Sequence, residues 1–395
     1  MSRPLRVLQI VPSISLVYGG PSQMVRGFSA ALAEAGAEVT IATTDSNGDV
    51  DEQPLNVPLN QPVPEEGYTV WYFRCSPFRR YKFSLGLLRW LWQNAHTFDI
   101  AHIHALFSPV SSTAAAIARW QGLPYLLRPL GTLDPADLQK KRQLKQIYAT
   151  LLERPNLAGA AAIHFTSEQE AAVSHRFGTQ TPGIVLPLGV TPLPLPAAKV
   201  DVRDRYAIPR DRPIVLFMSR LDPKKGLDLL IPALEKLQAK GIDFHLMLCG
   251  ANPQDRAYEQ AIHQRIAASP LGDRTTVTGF VSGDLKTALL AAADLFVLPS
   301  YYENFGIAVA EAMLAGVPVV ISDQVHIWQD IQHSESGWIC ACTEESLGEQ
   351  LQAALQNPAE RQRRGRQAQQ FASAQYSWQA IAQRTLDTYQ KLLPR

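Results

Sequence analysis

The stretch Leu295-Phe-Val-Leu-Pro299, continued by Ser300-Tyr-Tyr-Glu303-Asn-Phe-Gly306-Ile-Ala-Val-Ala-Glu311, decides how this chain folds. Its first, apolar part predicts a buried strand, and the residues after Gly306 are good or tolerable helix formers. The glycine marks a strand-to-helix turn at which the backbone can approach a ligand closely. The stretch therefore predicts two carboxylates, Glu303 and Glu311, at the carboxyl end of a strand, where open α/β sheets bind ligands.

Two glutamates at this spacing would by themselves be solvent-exposed, because charged side chains are mostly exposed. Glu311 differs, since Val309, Ala310, Ala312 and Met313 flank it. A carboxylate inside such an apolar helix needs a partner. We expect a ligand with hydroxyl groups to be that partner, while the free N–H groups at the helix start favour a phosphate.

Composition limits the class of protein. A chain of 395 residues is too long for one hydrophobic core, so two domains are expected. The balance of 37 basic and 36 acidic residues argues against nucleic-acid binding. The four cysteines, Cys75, Cys249, Cys340 and Cys342, lack the spacing of a zinc site and are expected to be unpaired thiols of a reducing compartment.

The first apolar run, Val7 to Val11, is interpreted as a strand, because it lacks the features of a signal peptide. No apolar stretch reaches the roughly 18 residues of a membrane-spanning helix. These observations predict a cytoplasmic protein.

Strands and helices are predicted to alternate along the chain, as in mostly parallel sheets built from βαβ units. Residues 45–67 are predicted to be a long loop, and Gln139 to Leu152 a helix with a polar face. A proline-rich linker around residues 188–197 divides the series. We therefore predict an α/β protein with two Rossmann-like, doubly wound domains, residues 1–190 and 200–375, facing a central cleft.

Several elements, in this order, resemble one family. They are Gly19-Gly20, the strand end His102-Ile-His104, Ser219-Arg220-Leu-Asp-Pro-Lys-Lys225-Gly226, Gly279-Phe280 and Glu303-Asn-Phe-Gly-Ile-Ala-Val-Ala-Glu311. Over nearly its whole length the chain resembles the retaining glycosyltransferases of the GT4 class, which have the GT-B fold. The resemblance implies that residues 376–395 pack back on the N-terminal domain.

The resemblance also implies an activity: transfer of a sugar from a nucleotide diphosphate sugar to a hydroxyl group, with the anomeric configuration kept. No metal or other cofactor is expected. The acceptor would be a saccharide or a lipid-linked molecule, in polysaccharide or glycolipid biosynthesis. Two alternatives stay open, a nucleotide-sugar epimerase of GT-B type and a non-catalytic protein that binds nucleotide sugars.

The second domain carries the expected donor site. A planar guanidinium and a point charge together suit a diphosphate, and the resemblance assigns that role to Arg220 and Lys225; a solvated basic turn is the alternative. Glu311 would hold the ribose hydroxyls, since a carboxylate accepts from two donors at once, and Glu303 the hydroxyls of the donor sugar. The resemblance adds backbone contacts from Asn304, Phe305 and Gly306 to sugar or phosphate, and from Gly279 and Val281 to the base.

The N-terminal half carries the expected acceptor side. Gly19 and Gly20 form a loop that lacks the G-x-G-x-x-G fingerprint, which disfavours a dehydrogenase. The resemblance places this loop against the donor phosphate and His104 near the anomeric carbon, although a histidine in a buried strand is more often a hydrogen-bonded core residue. Arg128 and Asp134 are placed on the acceptor side.

His102 and His104 share one face of their strand, but no third ligand has suitable spacing, so a metal site is not predicted. Two basic clusters, Arg79-Arg80-Tyr-Lys82 and Lys140-Lys-Arg142 with Lys145, are interpreted as solvated faces. The alternative is peripheral contact with an anionic membrane that carries the acceptor.

Overall fold

The computed structural model describes residues 3–18, 20–48, 53–76, 82–139, 142–191 and 201–393. The chain divides into two compact units. Unit 1 consists of Met1–Gly189 and Trp378–Arg395, and unit 2 of Val190–Ser377. The predicted linker lies mostly outside the described residues.

A sheet of eight described strands forms the centre of unit 1, in the order β3-β4-β2-β1-β5-β6-β7-β8. The strands are β1 (Arg6–Ile10), β2 (Glu38–Thr44), β3 (Pro62–Pro64), β4 (Thr69–Phe73), β5 (Ile100–His104), β6 (Tyr125–Arg128), β7 (Ala162–Phe165) and β8 (Gly183–Val185). All pairings are parallel except that of β3 with β4. The expectation of an uninterrupted loop over residues 45–67 is therefore wrong at β3. Its two prolines fit an edge strand, where donors on the open side are dispensable.

Helices cover both faces of this sheet, as its long apolar strands require. They are α1 (Gly20–Glu34), α2 (Leu85–Asn94), α3 (Pro109–Trp120), α4 (Pro135–Gln139), α5 (Arg142–Tyr148), α6 (Arg154–Gly159) and α7 (Glu168–Val173). A π-helical turn, Ala149–Glu153, joins α5 to α6. Residues such as Leu87 and Leu91 of α2 pack with Ile10 and Ile103 in one apolar core.

Unit 2 contains a parallel sheet whose described strands follow the order β11-β10-β9-β12-β13-β14. They are β9 (Ile214–Met218), β10 (His245–Cys249), β11 (Thr275–Gly279), β12 (Leu295–Leu298), β13 (Val319–Ser322) and β14 (Gly337–Cys340). All but β11 and β14 are buried along their whole length, in agreement with continuous apolar runs.

The helices of unit 2 alternate with these strands. They are α8 (Val202–Arg205), α9 (Leu227–Ala239), α10 (Arg256–Ala267), α11 (Gly283–Ala292), α12 (Ile307–Leu314), α13 (Trp328–His333), α14 (Glu344–Gln356) and α15 (Pro358–Gln375). The last helix, α16 (Trp378–Leu392), belongs to unit 1 and packs against α1. Within the described ranges, no helix combines the length and apolarity needed to cross a membrane.

The direction of winding reverses once in each sheet. The reversal lies between β1 and β5 in unit 1 and between β9 and β12 in unit 2. Loops after such neighbouring strands diverge and leave a crevice at the carboxyl ends, which is the usual ligand site of this architecture. The candidate site residues are therefore expected at these two places.

Candidate active site

The turn after β9 carries Lys225 to the reversal point of unit 2. A 3₁₀ turn, Pro223–Lys225, ends at Gly226, which has φ 72° and begins α9. A Cβ atom at Gly226 would lie 2.1 Å from the carbonyl oxygen of Pro299. Only glycine lets this turn lie directly against the end of β12, so the position is specified by both conformation and space.

Lys225 and Glu303 form a partly buried ion pair, in which Nζ donates to Oε2. The loop of Glu303 is held by two backbone hydrogen bonds: its N–H donates to the Gln324 carbonyl at 3.1 Å, and its carbonyl accepts from the His326 N–H at 2.9 Å. The structure thus brings together two predicted site residues. Each satisfies the other's charge, so an anionic ligand at Lys225 has to share or displace Glu303.

Arg220 lies in the same turn with a half-exposed side chain. Its Nη1 donates to Gln254 at 3.3 Å, and its Nη2 lies 3.6 Å from an Asp222 oxygen. Burial, and after it the charge of Lys225, lowers the pKa of neighbouring Lys224. The turn therefore concentrates cations, and a bound anion would relieve their mutual repulsion.

Glu311 lies in α12, which begins at Gly306 with φ 81°. Its Oε1 accepts from Nζ of Lys286, on α11, at 2.6 Å. The sequence led us to expect a ligand hydroxyl as the partner of this carboxylate, but the protein itself supplies Lys286. The need for a partner is therefore no evidence for the ribose role, which stays a prediction.

The remaining donor-side residues lie in two loops of unit 2. Asn304 and Phe305 belong to the loop of Glu303, and the Phe305 ring is buried edge-on against Tyr376, with centroids 5.3 Å apart. Phe305 therefore anchors the loop, and only its backbone is suited to a ligand. Gly279, with φ 70°, ends β11, and Val281 follows as a buried side chain.

A crevice of about 440 Å³ lies at the reversal point of unit 1. Segments after β1, β5 and β6 line it, among them Ser13, Ala105, Phe107 and Leu130. Four of its lining residues have left-handed backbone, with φ 46° at Lys82, 64° at Ala105, 58° at Phe107 and 57° at Leu130. Non-glycine residues rarely adopt this conformation, and strain of this kind concentrates at functional sites. Sequence patterns did not predict these left-handed positions.

Two buried carboxylates hold the strained loops. Oε1 of Glu153 accepts from the Phe107 N–H at 2.6 Å and from the Ser112 hydroxyl at 2.7 Å. Oε1 of Glu170 accepts from the Gly131 N–H at 2.9 Å. Burial raises the pKa of Glu153. These two side chains stabilise loop conformations that the local sequence does not favour.

A chain of hydrogen bonds runs through the sheet of unit 1. Nε2 of His164 lies 2.7 Å from the Leu186 carbonyl, so it must carry the proton, which leaves Nδ1 as an acceptor. Nε2 of His102 then donates to that atom at 3.0 Å, and the Tyr389 hydroxyl donates to Nδ1 of His102 at 2.6 Å. Burial holds the pKa of both histidines well below the usual range, so both are neutral.

His104 stacks on His102, with ring centroids 4.8 Å apart, and its Nε2 is 2.7 Å from Oε1 of Gln9. Burial also holds the pKa of His104 well below the usual range. The side chain is fully buried, at the carboxyl end of β5 beside Arg128 of β6. The His104 side chain is therefore not exposed in this structure, and its contact with a donor sugar stays a prediction.

Arg128 is also fully buried. Its Nη1 contacts the sulfur of Met24 at 2.7 Å, while Nε and Nη2 have no hydrogen-bond partner among the described residues. Burial lowers its pKa to about 10. Asp134, the other predicted acceptor-side residue, is buried immediately before α4. Gly20 begins α1, and Gly19 lies outside the described residues.

Several side chains that hold the candidate site residues and the loops around them were not predicted from the sequence. Lys286, Glu153 and Tyr389 carry no local signal, because their partners are remote in sequence. For Glu170 there was one: Ser167-x-x-Glu170 is a capping-box pattern, and the Ser167 hydroxyl accepts from the Glu170 N–H at 3.0 Å. Among the described residues, no group of three or more histidine, cysteine or carboxylate side chains could hold a metal ion.

Family models match both units. The model described as glycosyl transferases group 1 matches residues 199–371, and that of a glycosyl transferase 4-like domain matches residues 19–189. Alpha-D-kanosaminyltransferase of Streptomyces kanamyceticus is 29% identical over 50% of this chain, and glycogen synthase of Mycobacterium tuberculosis is 25% identical over 95% of it. The chain spans about half the length of the first relative and 91% of the second.

The fold is shared with a solved structure, Anabaena HepE in complex with UDP and glucose. The TM-score is 0.72 at 20% identity, over 98% of this chain and all of the other. Two parallel-sheet α/β domains of this kind define the GT-B fold of glycosyltransferases, so the predicted fold class is confirmed. Within this class of transferase enzymes, the chain belongs to the GT4-type family of group 1 glycosyltransferases.

Proposed function

We propose that this protein transfers a sugar from a nucleotide diphosphate sugar to a hydroxyl acceptor and retains the anomeric configuration. The Lys225–Glu303 pair at the reversal point of unit 2 carries this proposal. It places a cation and a hydroxyl-binding carboxylate together where sheets of this kind bind nucleotides. When the donor binds, the ion pair would open, and Lys225 would contact the diphosphate while Glu303 contacts the sugar.

The donor's charge explains the other features of this turn. A diphosphate would meet Arg220 and Lys225, which both lie in the turn after β9, with side chains that contact Gln254 and Glu303. The free N–H groups at the start of α12, which follows Gly306, add donors for phosphate or sugar oxygens. Glu311 would bind the ribose hydroxyls through the oxygen that Lys286 does not occupy.

Retention fits a reaction in which the protein supplies charge stabilisation and no nucleophile. The carboxylate of Glu303 is paired with the cation Lys225, whereas hydrolysis by two carboxyl groups would place a second carboxyl group across the bond to be broken. The acceptor hydroxyl would attack from the face that the leaving phosphate departs, and that phosphate would take its proton. Lys225 and Arg220 would stabilise the charge that develops on the diphosphate.

The relatives support the donor class. The solved structure of HepE contains UDP and glucose, and the two relatives named above are a glycosyltransferase and a polysaccharide synthase. None of these names supports the epimerase alternative. The cysteines are free thiols, which supports action in a reducing compartment such as the cytoplasm.

The crevice of unit 1 is the proposed acceptor site. Its wall is largely apolar, with hydroxyl groups from Ser13, Ser22, Ser108 and Thr132, a combination that suits a saccharide or a saccharide on a lipid carrier. Polysaccharide or glycolipid biosynthesis is the corresponding role.

A donor panel tests the class of substrate. Purified protein would be incubated with UDP-, GDP- and ADP-sugars, with and without chelator, and thermal stabilisation and release of the nucleotide diphosphate would be measured. We expect one base to stabilise the protein and no loss of activity with chelator. Conversion of the donor to an isomeric sugar without any acceptor would instead identify an epimerase.

Substitution of Lys225 tests the site. With the donor found in the panel, Lys225→Ala should lower kcat by about 10²–10³, the usual loss for one charge-stabilising donor. Lys224→Ala is the matched control, because it removes an equal charge from the same turn and leaves the Lys225–Glu303 pair intact, and it should change kcat only a few-fold. An unchanged kcat in Lys225→Ala would exclude the proposed role, and binding of donor without turnover in the wild type would point to a non-catalytic protein.

A further inference from the structure

The helical segment of α5, its π-turn and α6 exposes large aliphatic side chains. Leu144 is 64% exposed, Ile147 59%, Leu151 68% and Leu152 41%. Leu144 and Ile147 lie three residues apart in α5, a spacing that places them on one side of that helix, and Leu151 and Leu152 follow in the π-helical turn. We call these four residues the aliphatic ridge. The sequence predicted a polar face here, and Gln143 and Gln146 are indeed exposed, but the prediction did not include the exposed ridge.

Polar contacts hold the opposite side of the segment to the body of unit 1. The Tyr148 hydroxyl lies 2.8 Å from the Ser112 hydroxyl, and Glu153 accepts from Ser112 and from the Phe107 N–H. A helix of a globular protein usually turns its apolar side to the core and its polar side to water. This segment exposes large aliphatic side chains beside its polar ones, and contiguous exposed apolar side chains of this size mark interaction surfaces.

The charge of the segment indicates which surface would cover the ridge. Residues 139–154 contain five basic side chains and one acidic side chain, Glu153, which is buried and used inside unit 1. The whole chain is nearly neutral, so this excess of cations is local. The side chains of residues 140–142 lie outside the described part of the chain, and Lys145 and Arg154 are the described cations of the segment. A cation-rich sequence that carries an aliphatic ridge matches a lipid surface, where headgroup phosphates lie next to acyl chains.

We propose that the aliphatic ridge inserts into the headgroup boundary of an anionic lipid bilayer. Lys145, on the same helix, lies over the Phe107 ring, 5.4 Å from its centroid, and Phe107 lines the crevice of unit 1. The inserted helix thus adjoins the proposed acceptor site, so a lipid-borne acceptor would reach the crevice from the bilayer. The docking itself does not depend on the proposed transfer reaction.

Vesicle flotation tests the docking. The full-length protein would be mixed with vesicles of phosphatidylcholine alone or of phosphatidylcholine with phosphatidylglycerol, and the floated fraction measured across salt concentrations. We expect binding to the mixed vesicles, little binding to phosphatidylcholine alone, and weaker binding as salt screens the cations. Absence of binding to the mixed vesicles would overturn the proposal.

The double variant Leu144→Ser with Leu151→Ser should bind mixed vesicles about tenfold or more weakly, because two aliphatic side chains no longer insert. Gln143→Ser with Gln146→Ser, on the exposed side of the same helix, is the matched control and should bind like the wild type. Thermal unfolding of both variants, which change only exposed positions, confirms that each is folded. Equal binding by the leucine variant, or a dimer in light scattering that only this variant abolishes, would overturn the proposal, the latter by assigning the ridge to contact between copies.

Discussion

The crevices at the two reversal points are built in opposite ways. In unit 2, the left-handed positions beside the site are glycines, Gly226 and Gly306, and the charges of Lys225 and Glu303 are paired with each other. In unit 1, they are Lys82, Ala105, Phe107 and Leu130, and buried carboxylates hold two of the loops. The same backbone requirement is therefore met by residue choice in one unit and by tertiary hydrogen bonds in the other.

The difference has a physical consequence for each unit. A turn with glycine at its left-handed position adopts that conformation without strain, so it depends little on its surroundings. A left-handed phenylalanine costs free energy that a distant hydrogen bond must offset. We therefore expect unit 1 to be more sensitive to conditions and to remote substitutions, and unit 2 to depend on single glycine positions.

Mild acid should produce the largest difference between the two units, because it should destabilise unit 1 more than unit 2. His102, His104 and His164 of unit 1 all have a pKa held well below the usual 6.5 by burial. Below pH 6.5 these histidines bind protons in the unfolded state but not in the folded state. The free energy of unfolding therefore falls, for each unit of decrease in pH, by about 1.4 kcal/mol per histidine, or about 4 kcal/mol for all three. Hydrogen exchange followed by mass spectrometry from pH 7 to 5 would measure the loss in each unit.

Two other groups modify this prediction. In unit 2, His245 has a pKa lowered to about 4, chiefly by burial, and contributes a loss of the same sign. In unit 1, the raised pKa of Glu153 acts in the opposite direction, because the folded state gains that proton first, and offsets part of the loss. Equal acid sensitivity of the two units would show that the buried histidines do not set the difference.

Gly226→Ala should break the turn that unit 2 encodes in its sequence. The new Cβ would collide with the Pro299 carbonyl oxygen in addition to the strain of a positive φ, and we expect a loss of about 3 kcal/mol in the free energy of unfolding. Gly241→Ala is the matched control, since Gly241 has φ 78° and no atom within 4 Å of the added Cβ. Its loss should be about 1 kcal/mol. Urea unfolding would compare the two, and equal losses would mean that the close approach to β12 is unimportant.

Glu153→Ala should break the remote support of unit 1. The Phe107 N–H and the Ser112 hydroxyl would lose their acceptor, at a cost of about 2 kcal/mol. Glu153→Gln keeps an acceptor oxygen and should retain most of the stability, while Arg154→Ala, at the exposed neighbouring position, should change it by less than about 0.5 kcal/mol. Exchange of the Phe107 amide should accelerate only in Glu153→Ala. If that amide stays protected, another contact holds the loop.

Sequence patterns anticipated those features that depend on neighbours along the chain. The run Leu295–Leu298 became β12, the segment after Gly306 became α12, and Glu303 lies where the stretch predicted it, beyond a buried strand. The polar face predicted for Gln139 to Leu152 was incomplete, because the same helix also exposes Leu144 and Ile147. Side-chain periodicity alone does not reveal which apolar side chains stay exposed.

The sequence by itself determined the two-domain α/β architecture and the place of the loop that carries Glu303, beyond β12. Apolar runs specify strands, and glycines specify left-handed turns, within a few residues of the chain. Such features can therefore be recognised in the sequence. Tertiary structure decided the partners: Lys225 with Glu303 across 78 residues, Glu311 with Lys286 across 25, and His102 with Tyr389 across 287. Those pairings follow from where the strands and α16 lie in space, and no local pattern records that arrangement.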